Sequence, residues 1–336
     1  MLTEPQIAAT GDWLAAEQLA DGMLPWYRGG HADPWNHVEA LMALAACDRW
    51  DAVALGLSWL ADKQLEDGSW CTFYVPGGVT DPRRDPNVCA YIATGVWWLY
   101  RLSGDEEVVR EMWPVVDRAI SWCLQWQRSG GEMAWSVGPD GVAGQFGLVT
   151  ASSSFQHSLR CAVRAARVVG QRRPQWEIAA ERVARAVAGH VGSSTTGHAA
   201  VFADKERWAM DWYYPVLTGV LEGEAACLRL KSRWDQMVET GLGVRCVGDQ
   251  FWVTAAETAE CAMAASRAGM MAEGRELLDW ANSHMRDISG GYWTGCAHPD
   301  CVRFPGGQLS TYSAAAAVIA DHVLAKRSPA ASVFCP

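Results

Sequence analysis

No stretch of eighteen apolar, uncharged residues occurs in this 336-residue chain, so nothing in it reads as a membrane span. Cations are in deficit: 28 Lys and Arg stand against 38 Asp and Glu, a formal net charge of −10. That deficit argues against nucleic acid as a partner, because neutralising phosphates takes clustered Lys and Arg. Met1 to Gln18 lacks the basic block and apolar run of a signal peptide, and the expected location is the cytoplasm. A Gly-rich phosphate loop, a nucleophile elbow and a His-Glu-x-x-His helix are all missing. No convincing strand alternation competes with helical periodicity, and no linker or low-complexity segment divides the chain.

Tryptophan and cysteine are plentiful. Nineteen Trp is a large investment, expected to line a cavity or wedge helices together. Of eleven Cys, most fall inside apolar helical stretches (Cys47, Cys89, Cys123, Cys161, Cys227, Cys261) and read as buried free thiols. Thr3-Glu4-Pro5-Gln6 has the form of a helix start, with a capping Thr, an early Pro and a Gln three residues on.

The chain also repeats itself. An aromatic is followed by Gln, then by an acidic residue or Gly, then by Gly and Trp: Trp13, Gln18, Asp21, Gly22, Trp26; Trp59, Gln64, Asp67, Gly68, Trp70; Trp122, Gln127, Gly130, Gly131, Trp135. A degenerate copy is Trp280, Asp287, Gly290, Gly291, Trp293. Gly ends a helix in each. Between these copies lie polar-aromatic clusters that run into Ala-rich helices, starting near Asp33, Asp85, Ser153, Asp211, Trp252 and Ser310. Helices apolar on nearly all sides, such as Ala40 to Ala46 and Ala314 to Ala320, belong inside; those with one charged face, such as Glu106 to Leu124, belong outside. Six of each predict an all-α fold, an (α/α)6 toroid of six helical hairpins with inner and outer rings. It is expected to occupy residues 1–327 as one domain, with a loose tail over 328–336.

Trp59 to Trp70, with Gln64, Gly68 and Trp70 in place, resembles the QW motif of the squalene-cyclase-like proteins, the terpenoid cyclase and protein prenyltransferase toroids. The whole chain is also similar to actinobacterial proteins labelled prenyltransferase by similarity. The resemblance implies isoprenoid chemistry in a central aromatic cavity. It carries over no catalytic residue, since the Asp-rich motifs of that superfamily are absent here.

In a toroid the inner-helix starts converge on one mouth, so their polar residues are the candidates. Asp211, one carboxylate among aromatics, is the first choice for a general acid, because apolar surroundings raise a carboxyl pKa. Asp33 is the second, with N-capping as its alternative role. Glu257 has capping-box spacing from Thr254, while Glu260 sits one turn deeper, where capping does not account for it. His157 could act as acid or base, and Arg160, three residues on, could hold an anion. Of His37 and Glu39, at most one should face the cavity. Trp35, Phe155, Trp212, Tyr213, Tyr214, Trp252 and Tyr312 would line it. No metal or cofactor is expected: Cys296-Ala297-His298-Pro299-Asp300-Cys301 lacks a second ligand pair.

Two functions follow. The first is an isoprenoid-processing enzyme, cyclase-like or prenyltransferase-like, in which aromatic faces stabilise cations and an Asp or Glu protonates. The alternative is a carbohydrate-active (α/α)6 enzyme, a glycoside hydrolase or sugar epimerase, working with a carboxylate pair. The expected partner is accordingly a small isoprenoid or a saccharide.

Overall fold

A computed structural model describes residues 1–192 and 201–335. The chain alternates between two concentric rings. Outer α1 (Glu4–Glu17) is followed by inner α2 (Pro34–Ala46) and outer α3 (Trp50–Lys63). A short α4 (Pro86–Ala90) leads into inner α5 (Ile92–Ser103), then outer α6 (Glu107–Leu124), inner α7 (Val149–Val168) and outer α8 (Pro174–Gly192). Inner α9 (Ala209–Leu217), outer α10 (Gly223–Lys231), a single turn α11 (Trp234–Met237), inner α12 (Ala255–Arg267), outer α13 (Met271–His284) and inner α14 (Thr311–Leu324) complete the circuit. Neighbours pack in the order α2, α5, α7, α9, α12, α14 and back to α2, which closes the inner ring. The toroid expected from the sequence is the one observed.

Composition separates the rings. Every residue of α14 from Ser313 to Leu324 is buried, and so is all of α12 from Ala255 to Ala265. The small side chains let inner helices approach closely, while α6 and α8 bury one stripe only. The capping box at Thr3 and Gln6 forms as the sequence predicts.

The repeated glycines have a mechanical role. Gly22, Gly68, Gly131 and Gly290 all have φ near +100° (96°, 96°, 105° and 99°). At each, a Cβ would lie 2.4 or 2.5 Å from a backbone carbonyl oxygen of the next outer helix: Leu55, Arg118, Arg182 and Ala9 respectively. The preceding Gln side chain ties the same joint. Gln64 Nε2 donates to Gly68 O and Val115 O, Gln18 to Gly22 O and Ala52 O, and Gln127 to Gly131 O and Ala179 O. In the degenerate copy, Arg286 takes the Gln position and donates to Gln6 O, so the last turn docks on the first helix.

Two expectations need correction. Strands do occur: β1 (Phe73–Val75) pairs with β2 (Gly78–Asp81), and β3 (Val238–Glu239), β4 (Gly243–Arg245), β5 (Trp252–Thr254), β6 (Trp293–Ala297) and β7 (Val302–Leu309) form an antiparallel sheet in chain order. They are too short, and β7 too rich in Pro and Gly, for alternation to show. β5 and β7 run directly into α12 and α14, which explains why Trp252 looked like a helix start. The segment from Ser328, expected to be loose, makes a 3-10 turn (Pro329–Val333), and Phe334 is buried against His157.

The glycine wedge is testable. Gly68→Ala adds a methyl against Arg118 O and is expected to cost about 2–4 kcal/mol in urea unfolding. Gly77→Ala has a similar φ of 94° but open space around it, and should cost only about 1 kcal/mol. Equal losses would mean that the contact with the next helix contributes nothing.

Candidate active site

The N-terminal turns of α2, α4, α7, α9, α12 and α14 line one mouth, where first-turn carboxylates gain from the helix dipole. The mouth holds two joined compartments, about 730 Å³ and about 340 Å³, that share Trp26, Met210 and Tyr312 as common wall. Asp33 and Asp85 line the smaller, together with Trp35, Phe73 and Trp135. Asp211 and Glu257 line the larger, together with His31, Lys205, Trp208, Trp252 and Phe304. The order of the inner ring sets α2 across from α9, and the α4–α5 pair across from α12. The four carboxyls therefore come from opposed walls, Asp33 against Asp211 and Asp85 against Glu257.

Each is held differently. Asp33 caps α2, accepting from Asn36 N at 3.0 Å, and also accepts from the Trp26 indole and the Asn36 amide. Burial raises its pKa more than these donors lower it. Asp85 caps α4, accepting from Asn87 N at 2.8 Å; burial, with repulsion from Asp33, pushes it up to about 7. Asp211 caps nothing, since α9 starts two residues earlier. It accepts from the Thr150 amide (3.2 Å) and hydroxyl, joining α9 to α7, and burial raises it as well. The capping bond that spacing suggests between Thr254 and Glu257 is not made, which leaves the Glu257 carboxyl to the larger compartment, beside the Cys246 thiol.

Below the mouth lies a second polar layer. Glu260 accepts from Tyr213, from Tyr214 at 2.8 Å and from Tyr312 at 3.2 Å. Glu39 accepts from Trp35 Nε1 at 3.0 Å and from Tyr91 at 2.8 Å. Burial pushes Glu39 up to about 7 and Glu260 well above its ordinary value. Trp35 and Tyr312 thus reach the mouth with their polar ends tied to carboxyls beneath it.

Several sequence candidates do not line the mouth. His37 stacks on Trp59 and bonds Gly56 O at 3.0 Å, and it is Glu39 that turns inward. His157 bonds Val333 O at 2.9 Å deep in the ring, and burial lowers it to about 4. Arg160 is exposed on the outer surface, in a cleft with Arg164 and Arg167. Phe155 is fully buried in the core, and the Trp212 indole is turned to Arg229 O at 2.9 Å. Helical periodicity cannot separate most of these outcomes, because the opening turns of these inner helices are buried on every side.

Conversely, Asp85 is not among the catalytic candidates of the sequence, although it heads one of the six clusters and Asp85-Pro86 repeats the Asp33-Pro34 signature. Trp26 and Trp135 belong to the repeated turns, whose position after an outer helix delivers them to the mouth. Phe304 follows no pattern the sequence displays.

The family model for the bacterial alpha-L-rhamnosidase 6 hairpin glycosidase domain matches residues 34–223, more than half of the chain. The chain is 40% identical over 334 residues to the MMP endo-(1,4)-3-O-methyl-alpha-D-mannosidase of Mycolicibacterium hassiacum, covering 99% of this chain and 90% of that protein. The chain belongs to the six-hairpin glycosidase family. Among solved structures this glycosidase-like fold is similar to a wild-type glycosidase (TM-score 0.74, 13% identity, 96% of each chain). It is also similar to a sugar epimerase from a ruminal bacterium (TM-score 0.71, 11% identity, 96% of this chain and 99% of that one).

Family membership overturns the resemblance to terpenoid cyclases and prenyltransferases, and isoprenoid chemistry with it. The Gln-Gly turn that suggested them is a joint between outer helices, a need shared by any such ring. Among the described residues no helix is long and apolar enough to cross a membrane.

The Glu39 titration has a readable sign. A carboxyl raised from 4.5 to about 7 binds its proton better in the folded state. The stability this confers is present below the unfolded pKa and is lost as pH rises through the folded one. Glu39→Gln keeps an oxygen for Trp35 and Tyr91 but cannot ionise. It should flatten the decline between about pH 5 and about pH 8 by about 1–3 kcal/mol in urea melts. An unchanged slope would place the titration on other groups.

Proposed function

We propose that the chain is an endo-acting glycoside hydrolase that cleaves an α-linked mannosyl polysaccharide, with Asp33 as general acid and Glu257 as general base. The observation that carries this is the lining of two adjoining aromatic compartments at one mouth by carboxyls from different inner helices, Asp33 of α2 in one and Glu257 of α12 in the other, since a glycosidic bond needs a carboxyl group on each of two sides. Burial favours the protonated form of Asp33, which suits a group that must donate to the leaving oxygen. Glu257 borders the larger compartment, where there is room for a water beside the sugar. Two joined compartments suit sugars on both sides of the scissile bond and so an internal cut. Trp26, Trp35, Trp252 and Tyr312 offer ring faces to sugar C–H groups, while Asp85 and Asp211 accept from hydroxyls.

The mannoside comes from the relative, whose name gives endo cleavage of a 3-O-methyl-α-D-mannoside and which aligns along nearly the whole chain. Hydrolysis is favoured over epimerisation because carboxyls dominate the groove. Four carboxyls line its two compartments against one histidine, His31, while His37, His157 and His322 are engaged with Gly56, Val333 and Ser328.

The test is incubation of purified protein with 3-O-methylated and with unmethylated α-(1,4)-mannosides, product lengths being read by mass spectrometry. Internal shortening is expected. Glu257→Gln and Asp33→Asn should each lower kcat by about 10²–10⁴-fold with unchanged melting, since Asn still caps α2. Intact substrates, or full activity in both variants, would overturn the assignment.

A further inference from the structure

The cluster Cys296 to Cys301 is absorbed neither by the groove chemistry nor by a metal. Its histidine, His298, lies 3.4 Å from Glu239 Oε1, and no set of three metal-binding side chains occurs among the described residues. What remains is a pair of thiols. Cys296 lies on β6, opposite Arg303 of β7, and Cys301 ends the connecting loop. Cys301 takes a positive φ of 51°, an uncommon conformation for a residue with a Cβ, and its Sγ lies 2.7 Å from the Sγ of Cys296. That is well inside ordinary contact between two thiols, so the backbone already holds the pair where bonding distance needs only a small movement.

The hairpin concerned is part of the groove wall. Three residues beyond Cys301, Phe304 stacks on Trp252 with ring centroids 4.7 Å apart and planes at 15°. Thr294, Phe304, Pro305 and Gln308 of the same hairpin line the larger compartment. A crosslink at 296–301 would fix the far end of this wall.

We propose that Cys296 and Cys301 are a redox modification site, closing to an intramolecular disulfide that stiffens the β6–β7 wall of the groove. With a low-molecular-weight disulfide as oxidant, the half-buried Cys301 thiolate attacks one sulfur of the oxidant and expels a thiolate. The Cys296 thiolate then attacks Cys301 Sγ and expels the second. Two protein thiols lose two protons and two electrons, and the oxidant leaves as two thiols. Burial pushes the Cys296 thiol up to about 12. As a leaving group it is therefore poor, which slows reductive attack at Cys301 Sγ once the bond exists.

The whole protein is treated with oxidised glutathione, then digested with trypsin after alkylation. The segment 287–303 contains these two cysteines and no others. The expected result is loss of two hydrogens from that segment, reversed by dithiothreitol, and about tenfold slower amide exchange over 302–309. Cys301→Ser should show neither change. A free pair after oxidation, a lasting glutathione adduct on Cys301, or a bridge to another cysteine would overturn the proposal. A change of KM on mannoside substrate rests on the hydrolase reading; the mass and exchange readouts do not, so either can fail alone.

Discussion

The ring depends on one contact made four times: a glycine Cα pressed against a backbone carbonyl of the next outer helix. No side chain fits between the two, and the positive φ suits only glycine. The adjacent Gln amide, or Arg286 in the last copy, bridges its own turn to the neighbouring helix, so the spacing between outer helices is set by hydrogen bonds as well as by contact. Because the fourth copy lands on Ala9 of α1, the same device that spaces the helices also closes the circle. Inner helices then follow, since each is held between two outer helices whose separation is already determined.

Closure of the ring makes the mouth. Six helix N-termini converge there, each with backbone N–H groups to satisfy, and side-chain caps answer part of that need, among them Ser310 on α14. Asp33 and Asp85 do so as caps, while Asp211 reaches across to Thr150 instead. Beneath them, Glu260 gathers tyrosines from α9 and α14, and Glu39 ties Trp35 of α2 to Tyr91 at the start of α5. This lower layer has few free rotamers. Ring faces at the bottom of the groove are consequently fixed before any ligand arrives, which is the preorganisation a binding site needs.

The toroid was legible in the sequence because it rests on repeats and on helices apolar all round, both long-range signals. Asp33, Asp211 and Glu257 were legible as mouth residues for the same reason: they stand at the head of inner helices. Direction within those helices was not legible. Phe155, His157 and Trp212 share helices with groove residues or their hydrogen-bonding partners, yet they face the core or the outer ring, and a helix buried all round has no polar face to mark the difference. The sheet was hidden by its short strands, and Phe304 with it, because its place in the groove depends on pairing between β6 and β7.

The misreading of the family has a physical source. A Gln whose amide caps a turn and reaches the neighbouring helix, with Gly pressed beneath it, solves a problem set by stacking outer helices side by side. Any α/α ring faces that problem whatever it does at its centre, so the motif is informative about architecture and silent about chemistry. The residues that do speak of chemistry are ambiguous in the opposite sense. Asp at a helix start is what capping demands and also what acid–base catalysis demands, and at Asp33 the proposed acid is also the cap of α2. Capping draws the aspartate to the mouth; burial there then raises its proton affinity. The raised proton affinity is thus a consequence of where the fold needs a cap, and the acid role proposed for Asp33 rests on it.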